Sequence, residues 1–241
     1  IRFSMNPTAD RMQLIRRHFE REAADFDRLF LRVMPRYEEM TRAIVESVPY
    51  RRGDRLRILD LGCGTGNFSR SLAAAFPRAR ITCVDIAGKM LDMARAKLAG
   101  VRGVSFRQCD LRDFDYGPGF DVIAASMALH HIEGAQKPRF YRTLNRALPP
   151  GGVFLCIDIF VSPLAAVQRL CIRRWREFME SGRLPKLKIA ETLRRHAAED
   201  RPTALMDELE ILRGAGFQEI DVIVKHYCFA AYCALKPLRT R

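Results

Sequence analysis

Ile58-Leu59-Asp60-Leu61-Gly62-Cys63-Gly64-Thr65-Gly66-Asn67 decides the fold of this chain. An apolar strand ends in an acid and runs into three alternate glycines that open a helix. Glycines suit this place because a ligand passes close to the backbone and the turn needs dihedrals other residues avoid. The helix that follows offers free N–H groups at its start. The spacing is G-x-G-x-G, not the G-x-G-x-x-G of dinucleotide sites. An acid at the strand tip suits a ligand with an ammonium group rather than a pyrophosphate.

Downstream, the strand Ile81–Asp85 ends in a second acid, 25 residues after Asp60. In a doubly wound sheet an acid at that tip accepts hydrogen bonds from ribose hydroxyls. A third acid, Asp110, follows the strand Val104–Gln108 and could accept from an adenine amino group, with Leu111 packing nearby. Any one of these is as readily a cap or turn residue. Three acids at three successive strand tips mark a ligand crossing the carboxyl ends of the strands.

The surrounding pattern alternates short apolar runs with helical segments. Arg57–Leu61, Ile81–Asp85, Val104–Gln108, Asp121–Ala125 and Val153–Phe160 read as strands. Helices fall over Asn67–Phe76, Lys89–Leu98 and Lys137–Leu148. A helix over Thr203–Ala215 then precedes strands at Glu219–Lys225 and Phe229–Lys236, which suggest an antiparallel closing hairpin. This is an α/β class chain with a mostly parallel sheet and helices on both faces. Residues 1–56 are helical, with Leu14, Ile15, Phe19, Phe26, Leu29, Phe30 and Val33 at helical spacing and a further helix over Tyr37–Val48. Residues 163–201 interrupt the alternation with helices over Ala165–Met179 and Ile189–Ala197. The expected organisation is therefore a core of 57–162 and 202–241, an N-terminal helical lid of 1–56, and a helical insertion of 163–201.

Asp60–Gly66, Asp85, Asp110 and Phe120–Ile132 resemble the class I S-adenosylmethionine-dependent methyltransferases. That resemblance implies a Rossmann-like, doubly wound, seven-stranded sheet with an antiparallel last strand. It also implies S-adenosyl-L-methionine as cofactor and a methyl acceptor, most simply a small molecule. The flanks, Phe26-Asp27 through Tyr37 and Leu212 through Phe217 with Cys228-Phe229-Ala230, are similar to the carboxy-S-adenosylmethionine synthases of tRNA wobble-uridine modification. In that family a Tyr after the Pro reaches the cofactor's methionine carboxylate, which implies Tyr37 here. The arginine that recognises the extra carboxylate falls at Ile211, and Arg213 lies on another helix face. The expectation is a plain methyltransferase with that family's lid, and a tRNA-modification enzyme is the alternative. The implied cofactor residues are Tyr37, Asp60, Gly62, Cys63, Gly64, Asp85, Ile86, Met90, Asp110, Leu111 and Ser126, the last beside the methionine moiety.

The pair His130-His131 follows the fourth strand. A neutral imidazole there could act as general base, and His130 is the named candidate. Otherwise the pair starts a helix and bonds to backbone. No metal centre is expected, because adjacent histidines rarely share one ion and no Asp or Glu cluster accompanies them. Asp158, at the end of the fifth strand, reads as a substrate-orienting group or an arginine's partner. Trp175, Phe178 and Met179 read as a roof over the site, a dimer contact or lid core.

The bulk properties of the 241 residues agree with an ordinary globular domain carrying a lid, at 48% hydrophobic and 29% charged. The net charge of +13 permits nucleic acid, yet 34 of the 41 basic residues are Arg, and only 168–201 is dense in charge, at +5. Arg169, Arg173, Arg174, Arg176 and Arg183 would carry any tRNA contact. Seven cysteines without a CxxC pair point to neither disulfides nor zinc and suit a reducing cytoplasm. No apolar run is long enough for a membrane span, and Ile1-Arg2-Phe3-Ser4 lacks a signal-peptide core, so Met5 reads as the native start. A homodimer is a further expectation.

Overall fold

Ile58, Leu59 and Leu61 are withdrawn completely from water, and around them Arg57–Leu61 forms β1, an interior strand of the sheet. The structure, a computed structural model, describes residues 7–238, with side chains from residue 11. The readings placed on Ile1–Ser4, Met5 and residues 239–241 lie outside the described residues. The other strands are β2 Arg80–Asp85, β3 Val104–Gln108, β4 Val122–Ser126, β5 Val153–Ile159, β6 Glu219–His226 and β7 Phe229–Leu235. Their order is β3-β2-β1-β4-β5-β7-β6, with β7 antiparallel to both neighbours and β1 to β5 parallel. The order reverses between β1 and β4, which opens a crevice at the carboxyl ends of those strands.

Helices α1 Pro7–Glu22, α2 Phe26–Val33 and α3 Tyr37–Glu46 precede the sheet. α4 Asn67–Ala75, α5 Gly88–Lys97 and α6 Lys137–Ala147 link its strands, α7 Ala165–Ser181 and α8 Lys186–Glu199 form the insertion, and α9 Leu205–Gly214 precedes β6. Side chains alternate across each strand, so each face has its own core. On one face Ile58, Ile81 and Val122 pack with Met40 and Ile44 of α3 and Phe68 and Leu72 of α4. On the other, Leu59, Ile123 and Phe154 pack with Tyr141 and Leu144 of α6 and Leu209 and Leu212 of α9. Each such side chain, fully buried, contributes about 1.5–3 kcal/mol. β5 is buried at all seven positions, as a strand covered on both faces must be.

Most element ends fall within three residues of the sequence reading, and two differences have a clear physical reason. β4 runs from Val122 to Ser126, because Asp121 stands before it and accepts from the Arg57 N–H at 2.7 Å. α3 packs on the sheet, burying Met40, Thr41 and Ile44, so it belongs to the layer beside α4. Among the described residues only α1 and α2 cross the crevice. They are fastened to the core by two acids. Glu20 accepts from the N–H groups of Gly88 (2.7 Å) and Lys89 (3.1 Å) at the start of α5, where a carboxylate is favoured. Asp27 accepts from Thr65 (2.5 Å) and Asn67 (2.8 Å) of the glycine loop and from Lys97 (2.6 Å). The insertion lies behind α2. Trp175 donates from Nε1 to the Val33 carbonyl at 2.7 Å and meets Phe229 edge-on at 5.4 Å. Trp175, Phe178 and Met179 are thus lid core, and none of them roofs the crevice.

Candidate active site

A cavity occupies the crevice. Its floor is the glycine loop and the tips of β1, β2 and β4. Its roof is Met12, Ile15 and Phe19 of α1 with Phe26 and Phe30 of α2. Tyr37, Asp60, Gly62, Cys63, Gly64, Asp85, Ile86, Met90, Asp110, Leu111 and Ser126 all line it. His130 lies behind the wall, and its neighbour His131 is on it.

Asp60 is fully buried, and its Oδ2 accepts from the Ser69 hydroxyl. Its Oδ1 is buried without a hydrogen-bond partner. Burial and the nearby Asp85 push its carboxyl up to about 7, only partly opposed by Ser69. An orphaned carboxylate oxygen beside a cavity fits a cationic ligand group, the ammonium of S-adenosylmethionine being of that kind. The loop above it is shaped to the same end. Gly62 has φ +65°, and a Cβ there would stand 2.4 Å from that of Ala128, so packing alone requires glycine. Gly64 has φ +53°, and a Cβ there would meet no protein atom within 4 Å. That open space belongs to the cavity.

Asp85, 7% exposed at the end of β2, accepts from the Gly64 N–H through Oδ2 (2.8 Å) and from the Ala87 N–H through Oδ1 (2.9 Å). It therefore holds the glycine loop, and each oxygen keeps a lone pair for a ligand hydroxyl. Burial pushes its carboxyl up to about 6, with the backbone N–H groups opposing. Asp110 is engaged by Arg112, whose Nε reaches Oδ1 at 2.9 Å and whose terminal nitrogen reaches Oδ2 at 2.6 Å. Burial works against the charge, but Arg112 outweighs it and the carboxyl lies below its usual range. One lone pair on Oδ2 is left for an amino group. The Tyr37 hydroxyl lies 3.2 Å from Ser126 Oγ, and burial pushes its phenol up to about 12. Met127, next to Ser126, holds φ +52°, a strained conformation costing on the order of 1–3 kcal/mol. Its N–H donates to the Ile157 carbonyl at 2.8 Å, which holds the turn.

The histidine pair departs furthest from the sequence reading. His130 and His131 sit in a single 3₁₀ turn. Asp158 does not line the cavity, and no arginine among the described residues pairs with it. It accepts from His130 Nδ1 at 2.5 Å and from the N–H groups of Leu129, His130 and Ile159. Burial opposes charge on His130, but Asp158 and Asp200 raise its pKa above the ordinary value. Burial and the charge of His130 hold His131 well below its own. The pair is accompanied by an acid after all. Asp200, from the end of the insertion, lies 3.6 Å from His130 Nε2 and 3.4 Å from His131 Nδ1, and also takes His196 Nδ1 at 2.8 Å. No local pattern signals this, since seventy residues separate the partners and only the fold joins them. The apolar roof was legible as an N-terminal helical lid but not residue by residue as cavity lining, and Arg112 was not singled out at all.

With this geometry in place, likeness to known proteins is informative. Residues 58–152 match the family described as a methyltransferase domain. Over 90% of this chain and 92% of the relative, it is 28% identical to the carboxy-S-adenosyl-L-methionine synthase of Methylococcus capsulatus. Over 58% of this chain and 48% of the relative, it is 30% identical to the malonyl-[acyl-carrier protein] O-methyltransferase of Legionella pneumophila. The fold superposes on phosphoethanolamine N-methyltransferase 2 of Haemonchus contortus, solved with phosphomonomethylethanolamine and S-adenosylhomocysteine. The TM-score is 0.70 at 17% identity, covering 98% of this chain and 62% of that one.

Proposed function

On the premise that this is a methyltransferase dependent on S-adenosylmethionine, as its matched domain and its likeness to methyltransferase relatives support, we propose that the acceptor is a small, largely apolar molecule held beneath α1 and α2. The roof carries this reading, because every described side chain that α1 and α2 bring to the cavity is apolar, four of the five being Ile or Phe. Such a surface favours aliphatic or aromatic groups by about 25 cal/mol per Å² buried and gives an anionic polymer nothing to pair with.

Methyl transfer from a sulfonium is an in-line displacement. The bond from acceptor to carbon forms as the sulfur–carbon bond breaks, and its electron pair returns to sulfur. The donor arrives activated, so the protein supplies alignment and a dry pocket. Asp60 would hold the ammonium, Asp85 the ribose hydroxyls, and Asp110 with Leu111 the adenine. Ile86 and Met90 would pack on the nucleoside, and Tyr37 and Ser126 would address the methionine end. The backbone of Gly62, Cys63 and Gly64 would admit the ligand. Incubation with methyl-labelled S-adenosylmethionine and a panel of small acceptors tests the reading. Label should pass to apolar or aromatic members, and transfer confined to tRNA would contradict it.

The whole-length likeness to carboxy-S-adenosylmethionine synthases raises a second reading, and Ile211 speaks against it. This residue packs half-buried against the sheet, away from the cavity, and Arg213 is exposed and paired with Glu210 at 2.6 Å. Arg112, the cavity's arginine, is already taken by Asp110. A ligand bearing an extra carboxylate would thus find no free arginine among the described residues that line the cavity. Arg169, Arg173, Arg174, Arg176 and Arg183 are all exposed on the insertion but do not line the cavity, so tRNA stays the lesser partner. The seven free cysteines support a cytoplasmic setting, and exposed Leu164 and Val167 on or beside α7 are where a homodimer would form. No helix among the described residues is long and apolar enough to cross a membrane.

A further inference from the structure

The pair His130-His131 and the acid Asp200 come from opposite ends of the α6–α8 region, yet their ligand-type atoms all lie within 4.8 Å of one another. We propose that His130 Nε2, His131 Nδ1 and Asp200 Oδ1 form a three-ligand site for a divalent transition metal of the zinc type, set into the wall of the donor cavity. The separations suit such an ion. Bonds of about 2.1 Å at the tetrahedral angle place neighbouring ligand atoms about 3.4 Å apart, and the two N···O distances here are 3.4 and 3.6 Å.

The outer contacts have the form that metal ligands require. Asp158 takes Nδ1 of His130 at 2.5 Å, which fixes the ring and leaves Nε2 to face Asp200. His196 holds the other oxygen of Asp200 at 2.8 Å, which leaves Oδ1 toward the two imidazoles. Both ring nitrogens of His131 are buried and make no hydrogen bond. Two imidazoles and one carboxylate suit zinc, nickel or iron rather than magnesium or calcium. Nearby cations are already committed. Arg11 donates to the carbonyls of His131 (2.7 Å) and Glu199 (2.6 Å), and Arg195 is paired with Glu22 at 3.4 Å. Asp158 and Asp200 supply the charge that balances the ion. Because His131 also lines the cavity, a metal here would stand within reach of an acceptor hydroxyl or carboxylate and could polarise it.

The site is tested with zinc alone, without any methyl acceptor, so its failure leaves the donor reading untouched. Protein stripped with a chelator is titrated with Zn²⁺ by calorimetry, and the cobalt form is examined for the visible bands of four-coordinate Co²⁺. The wild type should bind a single zinc ion per chain. Loss of an outer-shell partner typically costs 10–100-fold in metal affinity, so His196→Ala should weaken binding by roughly that factor and Asp200→Ala by roughly 100-fold or more. His131→Ala serves in place of Asp200→Ala if the latter does not fold. A wild type that binds no zinc, or an Asp200→Ala or His131→Ala protein that binds it undiminished, would overturn the proposal.

Discussion

Replacing Asp60 by Asn keeps the side chain's volume and its bond to Ser69 but removes a buried negative charge. If Oδ1 is the acceptor for the donor's ammonium, the loss is that of a hydrogen bond between charged groups, about 1.5–3 kcal/mol. S-adenosylmethionine should then bind roughly 10- to 150-fold more weakly. The folded protein should not suffer in parallel. The carboxyl is raised to about 7 in the fold, above the ordinary 3.8. The folded state therefore holds a proton that the unfolded chain has released between about pH 4 and pH 7. Stability is lost as pH rises through that window, at up to about 1.4 kcal/mol per pH unit for one group. Asp60→Asn lacks this penalty and should melt no lower than the wild type at pH 8. The same linkage acts on binding. The ammonium requires the carboxylate, so wild-type affinity should fall about tenfold per pH unit below 7, and more steeply below 6 as Asp85 protonates. Calorimetric titration of both proteins from pH 5.5 to 8.5, with melting curves, checks all of this. Equal affinity in the variant, or a flat wild-type profile, would refute the assignment of Asp60.

Three further perturbations separate ligand space from packing. Gly64→Val, where a side chain meets no protein atom but would enter the cavity, should abolish cofactor binding with a modest drop in melting temperature; Gly62→Ala should instead destabilise the fold itself through its 2.4 Å approach to Ala128. Tyr37→Phe removes the contact to Ser126 and should weaken cofactor binding by the 0.5–1.5 kcal/mol of one hydrogen bond, about 2- to 13-fold, as read by calorimetry. Asp27→Ala cuts the tie from α2 to Thr65, Asn67 and Lys97, and should speed trypsin cleavage within residues 7–33 several-fold, with added cofactor restoring part of the protection.

Much of the framework was legible because it is local. Arg57–Leu61 and Val104–Gln108 carry their strand character in their own residues, and the acids at Asp60, Asp85 and Asp110 fall at strand ends that apolar runs define. What escaped is what only tertiary contact creates. Nothing local shows that Glu20 and Asp27 tie the lid down, because their partners in α5 and the glycine loop meet them only when α1 and α2 are laid across the crevice. Asp110 reads as a free acceptor until Arg112 folds back on it. Helix periodicity identifies Phe19, Phe26 and Phe30 as a buried face without saying whether it meets sheet or ligand. The histidine pair shows the same limit most clearly, since the acid beside it arrives from the end of a separate helix.

The central claim is that this cavity is built for S-adenosylmethionine and not for its carboxylated form. Competition binding of the two ligands to the same purified protein tests it most directly. S-adenosylmethionine should bind at least tenfold more tightly, because the extra carboxylate meets buried apolar surface and an arginine already paired with Asp110. Tighter binding of the carboxylated ligand, or binding of neither, would contradict the account.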